Sequence, residues 1–286
     1  MCLRPRGMDP DTALVSFDVE RGGEVAGTVQ VHRTGQGGGQ LSWELHADHR
    51  GQGTGLRALR LLVAYAFEDL GLWRIEAYVH PDDLRSLRMG SRAGLRREGV
   101  VRGREEPDGG HADVVQLARL ASDPEPTTRD GFRGVLNAAL PTKRVIAQGL
   151  LHDGAGRVLL CELTYKPDWD LPGGVVERQE SPRDCVVREV AEELGITVVA
   201  GELLTVDWLP PWAGWDDACL LTFDLGTVDA SVVDAMVLEL REIAAVHWAD
   251  PATVRTRCRP QVAARLALLD SGDGVPLFLH SGRPPA

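Results

Sequence analysis

A chain of 286 residues exceeds the size at which one hydrophobic core usually stops growing, so two domains are expected. A formal charge of −11 argues against a general nucleic-acid binder, while a small phosphorylated ligand stays accessible wherever a bound cation supplies the attraction. No basic start followed by an apolar leader and no apolar run of about 18 residues is present, and the five cysteines (Cys2, Cys161, Cys185, Cys219, Cys258) lack metal-ligand spacing. The expectation is a cytoplasmic protein with free thiols and no membrane partner.

Residues 13–19, 24–32 and 40–46 alternate in period two between glycine-rich turns, which predicts an antiparallel meander. Arg50-Gly51-Gln52-Gly53-Thr54-Gly55 then stands between a strand and a helix. Successive backbone N–H groups and the positive helix end suit a pyrophosphate there, although the glycine order of a dinucleotide fold is absent. Leucines and alanines recur at helical spacing over residues 56–70, and Gly71 closes that helix. A strand over 73–79, a helix over 83–92 and strands over 96–102 and 112–120 complete an α/β (α+β) unit with a mixed sheet. His32, His46, His49 and His80 have no chelating spacing and read as surface or packing residues.

Residues 14–120 resemble the GCN5-related N-acetyltransferases (GNAT), especially the branch that acetylates ribosomal-protein N-termini. The likeness is carried by an Arg-x-x-Gly-x-Gly turn, met by Arg50, Gly53 and Gly55, and by an Asn-x-x-Ser segment, of which Ser86 keeps the serine. Asp83, Arg92 and Leu95 stand where that family has asparagine, lysine and phenylalanine. The resemblance implies acetyl-CoA on Arg50, Gly51, Gly53, Thr54, Gly55 and Ser86, with an amine as acceptor and Glu44 as a candidate base. The family opens with a strand and two helices that shape the acceptor cleft, and only about a dozen residues precede Leu14. The cleft is therefore expected to be incomplete, lost or supplied by a partner chain, which makes a homodimer one arrangement to expect.

Residues 121–130 are polar and carry two prolines, so residues 123–141 read as a linker with a short helix over 132–140. The expected domains are 1–122 and 142–286. The second begins with strands over 144–151 and 157–163 and a Pro-Trp-Asp-Leu-Pro-Gly-Gly loop that feeds an acidic helix. Strands over 201–207, 218–225 and 244–248 and a helix over 261–269 follow.

In the acidic helix Ser181 is placed to cap, Pro182 fits the first position, and Gly195 ends it. Val187, Val190 and Leu194 form the expected buried stripe, with Glu189, Glu192 and Glu193 (i, i+3, i+4) on a face away from it. Carboxylates so close repel, and no basic residue stands among them at helical spacing, so a hard divalent cation is the expected partner. Arg188 lies about 100° from the acid face and is expected to pair with Glu180 instead. Glu192→Gln should then relieve repulsion and stabilise the cation-free protein. An exposed helix laced with ion pairs is the plainer reading.

The segment from Gly174 through Glu180 to Arg188-Glu189-Val190-Ala191-Glu192-Glu193-Leu194-Gly195-Ile196 is similar to the motif of the Nudix hydrolases, with each fixed position filled. That resemblance implies an α/β/α sandwich and Mg2+-dependent (or Mn2+-dependent) hydrolysis of a pyrophosphate bond in a nucleoside diphosphate derivative. It implies Glu189, Glu192, Glu193 and the Gly174 carbonyl as metal ligands, and Gly174, Glu180, Arg188 and Gly195 as structural motif residues. The general base is Glu192 or Glu189 on the helix, or Glu242 (beside Glu239) on a later loop. Trp169, Trp208, Trp212 and Trp215 crowd the loops beside the expected cleft, and Trp169 and Trp215 are the candidates for stacking a base, unless they cap the core. Two other readings stay open: a bifunctional enzyme that also transfers acetyl from acetyl-CoA, and a nucleotide sensor without turnover.

Overall fold

The computed structural model describes residues 1–9, 13–35, 37–105, 109–212, 214–271 and 277–285. They form two compact units, residues 1–141 and 142–286. No helix among them is long and apolar enough to cross a membrane.

The first unit is built on β1 (Cys2–Asp9), β2 (Leu14–Arg21), β3 (Glu24–Thr34), β4 (Gly38–Leu45), β5 (Arg74–Val79), β6 (Arg96–Glu105) and β7 (His111–Leu120), in the sheet order β1-β2-β3-β4-β5-β7-β6. Between them come α1 (Thr54–Glu68) and α2 (Leu84–Arg92). Alternate residues of the strands, among them Phe17, Val19, Val31, Ile75 and Ala77, bury against the Ala58, Leu59, Leu62 and Val63 face of α1. This is the period-two against period-3.6 match that the sequence pattern predicts. β1 is the element without a periodic signal, because Pro5 and Gly7 interrupt it at a register shift. Its Asp9 pairs with Leu14 of β2, the next strand in the chain.

The strand β4 pairs with β5 only from Gly38↔Arg74 to Gln40↔Glu76. Beyond that point the two parallel strands part, and α1 and α2 flank the opening; Trp43 Nε1 of β4 donates to Ser86 Oγ of α2 at 3.2 Å. Residues 123–141, expected as a linker, carry α3 (Arg129–Ala139) and are tied to the first unit. Asp123 accepts from Arg96 at 2.9 Å, and Glu125 from the buried Arg119 at 2.7 Å.

The second unit holds β8 (Arg144–Asp153), β9 (Val158–Leu163), β10 (Gly173–Val175), α4 (Pro182–Leu194), β11 (Leu203–Leu209), β12 (Ala218–Val228), β13 (Ile243–Ala249), α5 (Pro251–Arg257), α6 (Pro260–Asp270) and β14 (Phe278–His280). Its mixed sheet runs β13-β9-β8-β12-β11-β14, and β10 adds to β8. β8 shows why helices cover both faces: Ala147 and Leu151 pack with α4, while Leu150 packs with α5 and α6. The result is an α/β/α sandwich.

Candidate functional site

Ser181 Oγ accepts from Asp184 N at 3.1 Å, Pro182 fills the first turn of α4, and Gly195 closes it with φ 68°. The free carbonyls of the last turn are taken up by a loop: Glu193 O accepts from Glu239 N and Leu194 O from Val237 N, both at 3.0 Å. The same loop bonds through Glu242 O to Thr164 N at 2.9 Å, which brings Glu242 and Tyr165 to the end of the acidic helix.

The buried side of α4 is rotated from the expected one. Val186, Val190 and Leu194 are fully buried while Val187 is only partly so, and Glu193 is 7% exposed. The cause is β10, which covers a second flank of the helix. There Gly173 donates its N–H to Glu193 Oε2 at 3.0 Å. A Cβ on Gly174 would stand 2.3 Å from Glu189 Oε1, so the glycine is what lets this carboxylate rest on the strand.

Arg188 is likewise more central than its wheel position suggests. It donates to Glu180 through Nε at 2.7 Å and Nη2 at 3.0 Å, and it also meets Glu189 at 3.0 Å and Glu192 at 2.9 Å. The acid triad therefore has a basic partner at i, i+4 after all. A long guanidinium reaches around the helix where a wheel diagram places only its Cα.

These contacts set the electrostatics. Hydrogen bonds from Arg188 hold the Glu180 carboxyl down to about 2. Burial pushes Glu193 up to about 8, against the Gly173 N–H and with the help of the Glu189, Glu242 and Asp170 charges. Glu189 is raised too, by burial first, against the pull of Arg188. The buried Cys185 thiol is pushed up to about 12 and donates weakly to Gly174 O at 3.8 Å. Among the described residues no three acidic, histidine or cysteine side chains are gathered as a ready metal cage, and Arg188 pairs with the exposed Glu192. The donors still fit a hard divalent cation: they are carboxylate oxygens and a carbonyl, and a cation beside them would favour the charged forms that burial opposes in Glu189 and Glu193.

The loop before β10 is braced from beneath by residues that no motif singles out. Arg265, 1% exposed, donates to Asp207 at 3.0 Å and to Gln148 Oε1 at 3.1 Å. Gln148 in turn donates to Asp170 Oδ1 at 3.0 Å and Leu171 O at 3.3 Å. A buried arginine in the middle of an apolar helix gives no periodic signal; its only trace in the sequence is a charge on the inner face of the 261–269 helix.

Trp169 lies in the core at 8% exposure, its ring parallel to His247 at 4.0 Å with the Arg257 guanidinium 5.0 Å away. Trp215 is 61% exposed. In the first unit Gly51 and Gly53 take φ 79° and 75°, and Gly53 caps α1. Thr54 and Gly55 are buried, Arg50 Nε donates to Leu45 O at 2.9 Å, and Ser86 bonds Trp43. Arg21, which no motif marks, reaches the same turn through Thr54 Oγ1 at 3.2 Å. Asp83 caps α2 by accepting from Ser86 N at 3.0 Å, and Glu44 is exposed.

Residues 142–268 match the NUDIX domain and residues 6–96 the acetyltransferase (GNAT) domain. The "MutT-like protein" of Streptomyces ambofaciens is 31% identical over 143 residues, 50% of this chain and 87% of that protein. The "Probable N-acetyltransferase YjcK" of Bacillus subtilis is 38% identical over 102 residues, 35% of this chain and 56% of its own length. The "RNA pyrophosphohydrolase" of Dinoroseobacter shibae is 39% identical over 82 residues, 26% of this chain and 51% of its own. The chain thus spans about half the length of the last two. With its acid-bearing helix, its covering strand and these likenesses together, the chain belongs to the Nudix family and carries a GNAT-family acetyltransferase-like domain in front of its NUDIX domain.

Proposed function

We propose that the second unit hydrolyses a pyrophosphate bond in a nucleoside diphosphate joined to another group. The observation that carries this reading is the pairing of α4 with β10, which sets Glu189 and Glu193 against Gly173 and Gly174. Glu189, Glu192, Glu193 and the Gly174 carbonyl are the groups to hold Mg2+ or Mn2+. When bound, such an ion offsets charge on the phosphate oxygens and makes water easier to deprotonate.

Water adds to one phosphorus as the bridging P–O bond breaks, its proton passes to a carboxylate, and the leaving phosphate keeps the electron pair. The acceptor of that proton is drawn from Glu189 and Glu192 on the helix and Glu242 on the following loop. Arg188 fixes the helix to the Glu180 loop so that the carboxylates keep their spacing.

The test is a screen of nucleoside diphosphate derivatives with the full chain, reading phosphate-containing products. Release is expected with Mg2+ or Mn2+, absent with EDTA, and reduced at least 100-fold in Glu189→Gln. Release that survives both changes refutes the reading. The parting of β4 and β5 beside the Gly51–Gly53 turn favours a second activity, acetyl-CoA binding by the first unit. Calorimetric titration of acetyl-CoA into the full chain, native and Arg50→Ala, tests it.

A further inference from the structure

Successive residues of β8 turn to opposite faces of the sheet. A Cβ on Gly149 would meet Val186 of α4 at 3.1 Å, and Ala147 packs with the same helix, so Gln148 between them turns toward α6. An arginine has donors only, so Gln148 Oε1 is the atom that meets Arg265 Nη2, and Nε2 is left to donate to Asp170 Oδ1 and Leu171 O. Asp207 holds the guanidinium from its other side and also accepts from Gly282 N at 2.8 Å. Gln148 is 5% exposed. An amide so deep is unfavourable unless fully bonded, and an apolar side chain would fill the same space. What the amide adds is a pair of bonds to the loop.

Those bonds begin an unbroken series between β8 and the loop. Asp170 and Leu171 are held by the Gln148 side chain, Pro172 O accepts from Gly149 N at 2.9 Å, and Gly173 stands opposite Gln148 in the β10–β8 ladder. The next link is the Gly173 N–H donated to Glu193 Oε2. Asp170 is fixed on its other sides too, by Lys166 at 2.7 Å and by Cys161, with which it exchanges both backbone bonds. Gln148 therefore reaches the acids of α4 through the loop backbone rather than across a shared face of the sheet.

We propose that Gln148, oriented by Arg265, is a positioning residue for the acid site: it fixes residues 170–172 and, through them, sets the Gly173 N–H and the Gly174 carbonyl beside the carboxylates of α4. The inference deepens the hydrolase reading and rests on it for what the site does. Groups that hold a ligand's backbone in place govern cation affinity without touching the ion.

The experiment uses the full chain with Gln148→Glu and Gln148→Met. The first keeps an acceptor for Arg265 and removes both donors to the loop; the second removes all three bonds at similar side-chain length. Hydrogen exchange of the Gly173 amide should quicken about tenfold in both, while amides of the β8–β12 ladder change less than about twofold. A part played only in overall stability would quicken both sets alike. Mn2+ alone, titrated into the metal-free chain, should bind about tenfold more weakly to Gln148→Met. Gln148→Glu leaves Arg265 paired and stays readable by exchange if Gln148→Met does not fold. The proposal is overturned if Gly173 exchanges at the native rate, if both sets of amides quicken by the same factor, or if Mn2+ binds Gln148→Met as it binds native. A native chain that neither binds Mn2+ nor releases phosphate removes the hydrolase reading, and Gly173 exchange then decides the brace by itself.

Discussion

The turn at Gly51–Gly53 and the turn at Gly173–Gly174 both lead toward a helix, yet glycine serves a different need in each. At Gly51 and Gly53 nothing lies within 4 Å of where a Cβ would stand, and both residues have positive φ. Glycine is there for backbone conformation, and the first turn of α1 holds no acid to compete for its free N–H groups. At Gly173 and Gly174 the missing Cβ positions are already occupied, by Ala147 O at 2.2 Å and Glu189 Oε1 at 2.3 Å. Glycine is there for close approach, joined at Gly173 by a φ of 132°. The first turn leaves donors open to an anion; the second gathers carboxylates that want a cation. A backbone site leaves little trace in charge, whereas a side-chain site shows up as shifted protonation.

Adding one methyl group to the second turn should have the largest effect. Gly174→Ala would push a Cβ into the Glu189 carboxyl, the end of a flexible side chain, so the carboxylate should swing away while the fold survives. Displacing a reacting group by about 1 Å costs on the order of 100-fold. Phosphate release should fall by about that factor with the melting temperature nearly unchanged; a variant as active as native would mean that Glu189 takes no part. Arg188→Ala should come next. It strips one guanidinium from Glu180, Glu189 and Glu192 together, and a metal-free melting temperature lower by several degrees, partly restored by Mg2+, is expected. Full-strength melting in that variant would show the ion pairs to be inert. Glu192→Gln should leave metal-free stability nearly unchanged, contrary to the repulsion argument, because Arg188 already neutralises this exposed side chain.

Much of this was legible beforehand for physical reasons. Period-two strands and the capped α4 announce themselves through local chemistry, Ser181 and Pro182 at one end and Gly195 at the other. The acidic spacing 189, 192, 193 marked the helix end, but the burial of Glu193 did not follow from it, since β10 is a three-residue strand of mostly glycine with no periodicity to read. β1 was hidden by Pro5 and Gly7, and the Arg265–Gln148 brace joins residues 117 apart in sequence. Trp169 and Trp215 looked equivalent as residue types; only packing separates a ring stacked on His247 from one facing a groove.

A smaller effect tests the Arg188 ring of contacts by pH. The Glu180 carboxyl lies at about 2 against an ordinary value of 4.5. Its ion pair therefore adds stability above about pH 4.5, and that contribution disappears as the pH falls through about 2. Native protein should melt higher than Glu180→Gln at pH 6, and the gap should shrink steadily in melts taken from pH 5 to pH 2. A gap that stayed constant would place the benefit in packing.

The smallest effect should come from the first turn, and it completes the contrast. Gly53→Ala adds a methyl group into open space, so no steric clash arises and the whole cost is that of holding a non-glycine residue at φ 75°. That cost is about 1 kcal/mol. It falls on the backbone that aims the first N–H groups of α1, so acetyl-CoA binding should weaken along with stability. Denaturant unfolding of the full chain and an acetyl-CoA titration read the two quantities separately. Loss of stability without loss of binding would mean that the turn shapes the helix start and holds no ligand, whereas hydrolysis by the second unit should be the same in this variant as in the native chain.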